Sequence, residues 1–236
     1  MLLIKKENKM ATEKSKNYFF YGKRVFDLAL AIPAMIAFLP ILVVAALLVR
    51  VKLGSPVLFK QIRPGLHENP FTIFKFRTMT DARGTNGILL TDAERLTRLG
   101  RFLRGTSLDE LPELLNVLKG EMSIVGPRPL LMQYLSRYTP EQARRHEVRP
   151  GITGWAQVNG RNNVKFSERL KMDVWYVDNQ SLLLDLKIIF HTVLYVLRHE
   201  GVRSDFESCL TEVDDCGFYI HSTKNGNGKH DLEEDV

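Results

Sequence analysis

Asp109 and Glu110 are adjacent acids in Arg104-Gly-Thr-Ser-Leu-Asp-Glu-Leu-Pro112, where a helix is expected to begin. Ser107 stands three residues before Glu110, the spacing of a capping box. Pro112 disfavours helical geometry at Leu111, so the first helical residue stays open. The positive end of a helix favours the charged form of both acids. A carboxylate held ionised can act as a nucleophile or bind a hard cation such as Mg2+. The same pair also suits plain helix capping.

Two further segments collect arginines. In Ser123-Ile-Val-Gly-Pro-Arg-Pro-Leu130, prolines on both sides of Arg128 fix the backbone around one guanidinium, whose forked donors match a phosphate. Residues 144–161, RRHEVRPGITGWAQVNGR, hold four arginines (Arg144, Arg145, Arg149 and Arg161), three glycines and Trp155. Arginines collect phosphates, and glycines let backbone approach a ligand. An RNA-binding loop with Trp155 stacked on a base would show the same pattern. The histidines lack metal-ligand spacing.

The composition limits what can carry these segments. The 236 residues are 44% hydrophobic and 25% charged, which excludes a disordered chain and a disulfide-stapled mini-protein. Cys209 and Cys216 are the only thiols, too few for a multi-cysteine metal cluster. Charge is uneven: the formal net charge is +6, yet residues 201–236 hold 3 Lys/Arg against 9 Asp/Glu. The basic body implies an anionic partner, either nucleic acid, acidic lipid or a phosphorylated substrate.

Leu28 to Val49 is a run of 22 residues without a charge. At about 1.5 Å per residue such a helix matches a bilayer core of about 30 Å. Its length, and the absence of a cleavage site after it, argue against a signal peptide. Lys23 and Arg24 precede the run and Arg50 and Lys52 follow it, so a spanning helix would place basic residues on both sides of the membrane. Pro40 and Pro33 are expected to kink it. A helix that bends near Pro40 and leaves by the face it entered satisfies both features; a kinked single-pass helix is the alternative.

Beyond this run, residues 57–63 and 71–77 read as a β-hairpin around Pro64 to Pro70, with Phe71, Ile73, Lys75 and Arg77 on one face and Phe74 and Phe76 on the other. Thr91 to Leu103 reads as one helix with Leu96, Leu99, Phe102 and Leu103 inward. Another helix stops at Gly120. Thr139-Pro140-Glu141-Gln142 is a helix start with a capping box. Ser181 to Glu200 is a long apolar helix ended by Gly201, suited to a core or a membrane interface. Residues 221–236 are too polar to pack.

In order along the chain stand K-R-x-F-D (from Lys23), Q-x-R-P-G (from Gln61), F-x-I-F-K-F-R-T-M (from Phe71), S-L-D-E-L-P (from Ser107), N-V-L-K-G-E-M-S-I-V-G-P-R-P (from Asn116) and R-P-G-I-T-G-W-A-Q-V-N-G-R (from Arg149). Together they resemble the bacterial sugar transferases, and more narrowly the small monotopic polyprenyl-phosphate phosphoglycosyl transferases. The resemblance spans roughly Lys23 to Val202. Larger relatives carry extra N-terminal membrane helices, for which the residues before Leu28 leave no room.

The resemblance implies an α+β, mostly helical fold. Its expected parts are a basic segment (1–22), a re-entrant membrane helix kinked near Pro40 (23–52), a cytosolic catalytic domain with a small hairpin and interfacial amphipathic helices (53–202), and an acidic, partly disordered tail (203–236). It implies transfer of a sugar-1-phosphate from a UDP-sugar to undecaprenyl phosphate with release of UMP, the sugar being an acetamido-sugar such as diN-acetylbacillosamine, with GlcNAc, GalNAc, galactose and glucose as rivals. Asp109 and Glu110 would be the catalytic dyad, with Asp109 forming a phosphosugar-aspartyl intermediate and binding Mg2+. Arg104, Arg128, Arg145 and Arg149 would contact phosphates. Pro40, Lys23 and Arg24 would form the membrane break and anchor, although Leu39 stands where the family has Ser. Membrane lipids are expected partners, nucleic acid is not, and a homodimer is compatible. The setting would be the bacterial inner membrane, with the site on its cytoplasmic face. Rival readings are a membrane-anchored RNA-binding protein, which leaves Asp109-Glu110 unexplained, and a metal-dependent phosphodiesterase, which usually gathers more ligands than one dyad.

Overall fold

The computed structural model describes residues 2–160 and 164–198; Arg161, Gly201 and the tail 203–236 lie outside the described residues. The chain begins with one helix, α1 (Leu2–Lys52), which continues through Pro33 and Pro40. The expected break at Pro40 therefore takes no non-helical residue: a proline removes one intrahelical bond, and the turns on either side hold. Gly22–Lys52 is long and apolar enough to cross a membrane. Its two arms both rest on the globular body. Ala31 packs with Phe71, Ile73, Leu114, Val117 and Met122, whereas Ala45 and Val49 pack with Phe76 and Leu103. Alanine has only a methyl to interpose, so the helix backbone comes close at both places. Between the arms Ile36, Phe38, Leu39 and Ile41 are exposed, an apolar stretch suited to lipid.

Strands β1 (Leu58–Pro64) and β2 (Pro70–Phe76) pair antiparallel, with Gln61 opposite Ile73 and Phe59 opposite Lys75. Alternation buries Phe71 and Ile73 and directs Lys75 to the same side, while Phe76 is buried on the other. The single helix expected over 91–103 is two, α2 (Asp92–Arg95) and α3 (Arg98–Gly105). Leu96 is extended and bridges to Met79, and Thr97 caps α3, its hydroxyl accepting from the Gly100 N–H at 2.9 Å. The rotation this introduces leaves Phe102 57% exposed, not inward, while Leu103 stays buried.

A 3-10 turn (Leu108–Glu113) leads into α4 (Leu114–Lys119), which Gly120 ends at φ +86°. Strand β3 (Ser123–Val125) pairs in parallel with β4 (Gly151–Thr153). Between them lies α5 (Pro140–Ala143), with the expected capping box: Thr139 N–H donates to Gln142 at 2.9 Å and Thr139 Oγ1 accepts from Gln142 N–H at 3.3 Å. Helices α6 (Trp155–Gly160), α7 (Phe166–Asn179) and α8 (Leu182–Arg198) complete the body. Trp155 stacks on Trp175 at 4.7 Å, so its ring is occupied within the protein and not set out for a base. Helix α8 buries Ile188 and exposes Leu183, Leu186, Phe190, Val193 and Val196, an amphipathic face of interfacial type.

The first and last helices are joined by buried polar groups. Lys23 Nζ donates to Asp185 Oδ2 at 2.7 Å, and the Tyr176 hydroxyl lies 2.7 Å from Asp185 Oδ1. Asp27 Oδ1 accepts from the Ser123 hydroxyl at 2.8 Å and the Ile124 N–H at 3.1 Å. Arg24 donates to the Val117 and Leu118 carbonyls at the end of α4, at 2.5 and 2.9 Å. Lys23 and Arg24, expected as headgroup anchors, thus fasten the helix to the body.

Candidate active site

Three elements converge on a cluster of charges. The 3-10 turn supplies Asp109, Glu110 and Glu113, β2 supplies Lys75, and the loop after β3 supplies Arg128. Lys75 Nζ donates to Glu110 Oε1 at 2.6 Å and lies 3.2 Å from Glu113 Oε1. Arg128 Nη2 donates to the same Glu110 oxygen at 2.8 Å. The capping box expected between Ser107 and Glu110 does not form. Ser107 adopts a left-handed conformation (φ +55°) without a side-chain cap, and the Glu110 carboxylate turns to the two cations instead. Two charge-assisted bonds outweigh one neutral cap.

The strand and the turn are held in register by Asn116, which is fully buried. Its amide nitrogen donates to the Thr72 carbonyl and to Glu121, both at 2.7 Å, and its oxygen accepts from the Phe74 N–H at 3.2 Å. Lys75 therefore leaves a strand whose neighbouring residues are tied to the start of α4.

Arg128 is positioned by Arg145, whose guanidinium donates to the Arg128 carbonyl at 2.7 Å. The same guanidinium donates to Asp173 at 2.6 and 3.1 Å and to the Tyr138 hydroxyl at 3.1 Å. At 1% side-chain exposure Arg145 faces inward, so its place is behind the loop and not on a ligand. The glycines act likewise. A Cβ on Gly126 would sit 2.3 Å from the Arg149 carbonyl, and one on Gly151 would sit 2.1 Å from the Gly126 nitrogen. The glycines of these two segments let two backbones touch each other, where the sequence suggested approach to a ligand. Arg104 Nε donates to Thr78 Oγ1 at 3.1 Å, and Arg149 Nε donates to the Gly120 carbonyl at 2.9 Å, at the end of α4 beside Arg24. Asp109, Glu110 and Arg128 are thus brought together, whereas Arg145 supports the loop and Arg149 caps a helix.

The electrostatics divide the acids. Burial opposes ionisation of Glu110, but Arg128 and Lys75 hold its carboxyl down to about 2. Burial, then the Glu110 charge, push Glu113 up to about 8 against the pull of Lys75. Burial works against the Lys75 ammonium, yet Glu110 keeps its pKa above the ordinary lysine value. Asp109 is 8% exposed and is one residue from this cluster. The arrangement sets the Asp109 carboxyl one residue from an acid that is bound to two cations.

Lys75 and Glu113 were not singled out as site residues from sequence. One signal was available for Lys75: alternation sets it on the same face as Phe71 and Ile73. Glu113 had no such signal, since its role depends on a strand far away in sequence.

Residues 18–199 match the family described as bacterial sugar transferase. The chain is 59% identical over 181 residues to an uncharacterized sugar transferase, EpsL, of Bacillus subtilis (strain 168), covering 77% of this chain and 90% of that protein. It is 42% identical over 185 residues to an undecaprenyl-phosphate glucose phosphotransferase of Komagataeibacter xylinus, covering 72% of this chain and 35% of that protein. It is 36% identical over 218 residues to an undecaprenyl-phosphate galactose phosphotransferase of Salmonella typhimurium, covering 85% and 45%. The chain thus spans less than half the length of these last two relatives.

Proposed function

Since the chain belongs to the bacterial sugar transferase family, we propose that it moves a sugar-1-phosphate from a UDP-sugar to undecaprenyl phosphate and releases UMP. The observation that carries this reading is the convergence of Lys75 and Arg128 on Glu110, with Asp109 the preceding residue of the same turn. Relatives named for transfer of glucose and galactose to undecaprenyl phosphate support it.

In the proposed mechanism an Asp109 oxygen attacks the β-phosphorus of the UDP-sugar. The bond from that phosphorus to the bridging oxygen breaks, and UMP leaves with the electron pair. An oxygen of undecaprenyl phosphate then attacks the same phosphorus and expels the Asp109 carboxylate, which returns to its first state. Lys75 and Arg128 hold Glu110 ionised and present positive charge to the phosphates. Mg2+ fits the donor chemistry: among the described residues no cage of three or more ligands exists, and this ion is commonly held by one or two carboxylates plus substrate phosphates. Asp109 would be its protein ligand, and the ion would supply charge neutralisation at the diphosphate.

The donor sugar is proposed as an acetamido-sugar on resemblance alone, with glucose and galactose as rivals from the relatives' names. A panel of labelled UDP-sugars with undecaprenyl phosphate tests function and donor together. Label entering the lipid fraction is expected; label released as free sugar phosphate would instead indicate hydrolysis.

We also propose that α1 enters and leaves the membrane by the cytoplasmic face. Supporting this, both arms of the apolar segment dock on one body, and basic residues flank it at both ends. Single cysteines near Lys16 and near Val51, in a chain whose Cys209 and Cys216 are replaced, should both resist an impermeant thiol reagent in intact cells. Labelling of the first site alone would show a spanning helix.

A further inference from the structure

Glu113 has no part in the mechanism above, yet it is one of the most buried acids of the molecule. It is 3% exposed, and it pairs with the Lys75 ammonium that also serves Glu110. We propose that Glu113 is a positioning residue, which holds the Lys75 ammonium in place without neutralising it. This rests on the reading of the site as one that binds a diphosphate.

The geometry sets the charge count. Two cations, Lys75 and Arg128, meet Glu110 Oε1 at 2.6 and 2.8 Å, and Glu113 meets Lys75 from its other side at 3.2 Å. If both glutamates were ionised, they would cancel the two cations, and with the Asp109 carboxylate in the same turn the site would repel a phosphate. Two carboxyl groups that share one buried ammonium do not both ionise readily, so one keeps its proton. Glu110 has two cationic partners and takes the charge; Glu113, deeper and with one, takes the proton. Lys75, Arg128 and Glu110 are then left with one unit of positive charge, which offsets the Asp109 carboxylate in the same turn and keeps the site from repelling a phosphate. The titratable groups facing Glu113 are Lys75 from β2, Glu110 from its own turn and Arg128 from the loop after β3. Their balance, after burial, places its proton loss near pH 8.

The sign follows directly. Below about pH 8 Glu113 is neutral and Lys75 retains its excess charge; above it the second carboxylate forms and cancels that charge. Catalytic efficiency toward the UDP-sugar should therefore fall with rising pH, approaching about tenfold per unit if binding requires the protonated form.

The test uses the full chain in membrane nanodiscs with the UDP-sugar that gives turnover and undecaprenyl phosphate. Glu113→Gln keeps an oxygen for Lys75 and cannot ionise. It should reduce kcat/KM at pH 7 by no more than about threefold and lack the alkaline limb of the parent. Glu113→Leu removes the hold on Lys75 and should cost about tenfold or more at every pH, so that the Gln variant restores what the Leu variant loses. A second measurement is independent of turnover and of any failure of the Leu variant to fold. The infrared carbonyl band of a protonated carboxyl should be present at pH 7, vanish by pH 9.5 and be missing in Glu113→Gln. Persistence of the alkaline limb in Glu113→Gln, or absence of the band at pH 7, would overturn the proposal. A parent chain that turns over no UDP-sugar would overturn the proposed function, while the infrared band still decides where the proton sits.

Discussion

Asp109→Asn is expected to abolish both UMP release and the covalent adduct, with a loss of turnover on the order of 10⁴-fold or more. The substitution keeps the shape of the side chain and removes the anionic oxygen that would attack phosphorus. Because Glu110 accepts hydrogen bonds from both Lys75 and Arg128, the cation pair should keep its place in the variant. Loss of activity with unchanged thermal stability would then report on chemistry and not on folding. The decisive measurement is the intact mass of the protein after incubation with UDP-sugar and Mg2+ in the absence of lipid acceptor. The parent should gain one sugar phosphate and release one UMP, and its kinetics should be ping-pong. An adduct that survives Asp109→Asn would move the nucleophile elsewhere. Intersecting-line kinetics with no adduct would indicate direct transfer in a ternary complex.

The second large effect is expected away from the reacting atoms. Arg145→Ala leaves Asp173 buried without its cation and the Arg128 carbonyl without its donor. Breaking one side of such a pair costs about 3–5 kcal/mol, enough to consume much of the stability of a domain of this size. Stability and transfer should both collapse. The double variant Arg145→Met with Asp173→Leu separates the two roles. Apolar side chains of similar bulk should recover most of the melting temperature, whereas transfer should stay low because the Arg128 carbonyl then lacks the Arg145 donor. Full recovery of transfer in the double variant would reduce Arg145 to a packing residue.

What could be read from the sequence followed the range of each interaction. The hairpin, the Thr139–Gln142 capping box and the stop at Gly120 depend on residues within a few positions, and the structure has all three. The break at Leu96 and Thr97 is also local, but it is enforced by the strand-like bridge to Met79, and helical periodicity does not register such a partner. The candidate site was legible in its acids and in Arg128, because adjacent charges and flanking prolines stand out in a linear chain. It was not legible in Lys75, which lies 35 residues from Glu110, or in the use of Arg145, whose Asp173 partner is 28 residues away. An arginine that supports a loop and one that meets a phosphate have the same letter, and burial alone separates them. Helix α7 escaped for a related reason: it draws its order from packing on its neighbours, with polar residues at its start.

The bond between Lys23 and Asp185 also sets an order of events during synthesis. The two residues are 162 positions apart. At about 5–20 residues per second, a ribosome needs roughly ten to thirty seconds to make the second after the first. Throughout that interval the Lys23 ammonium has no distant partner. The anchor therefore cannot be locked until translation has passed α8.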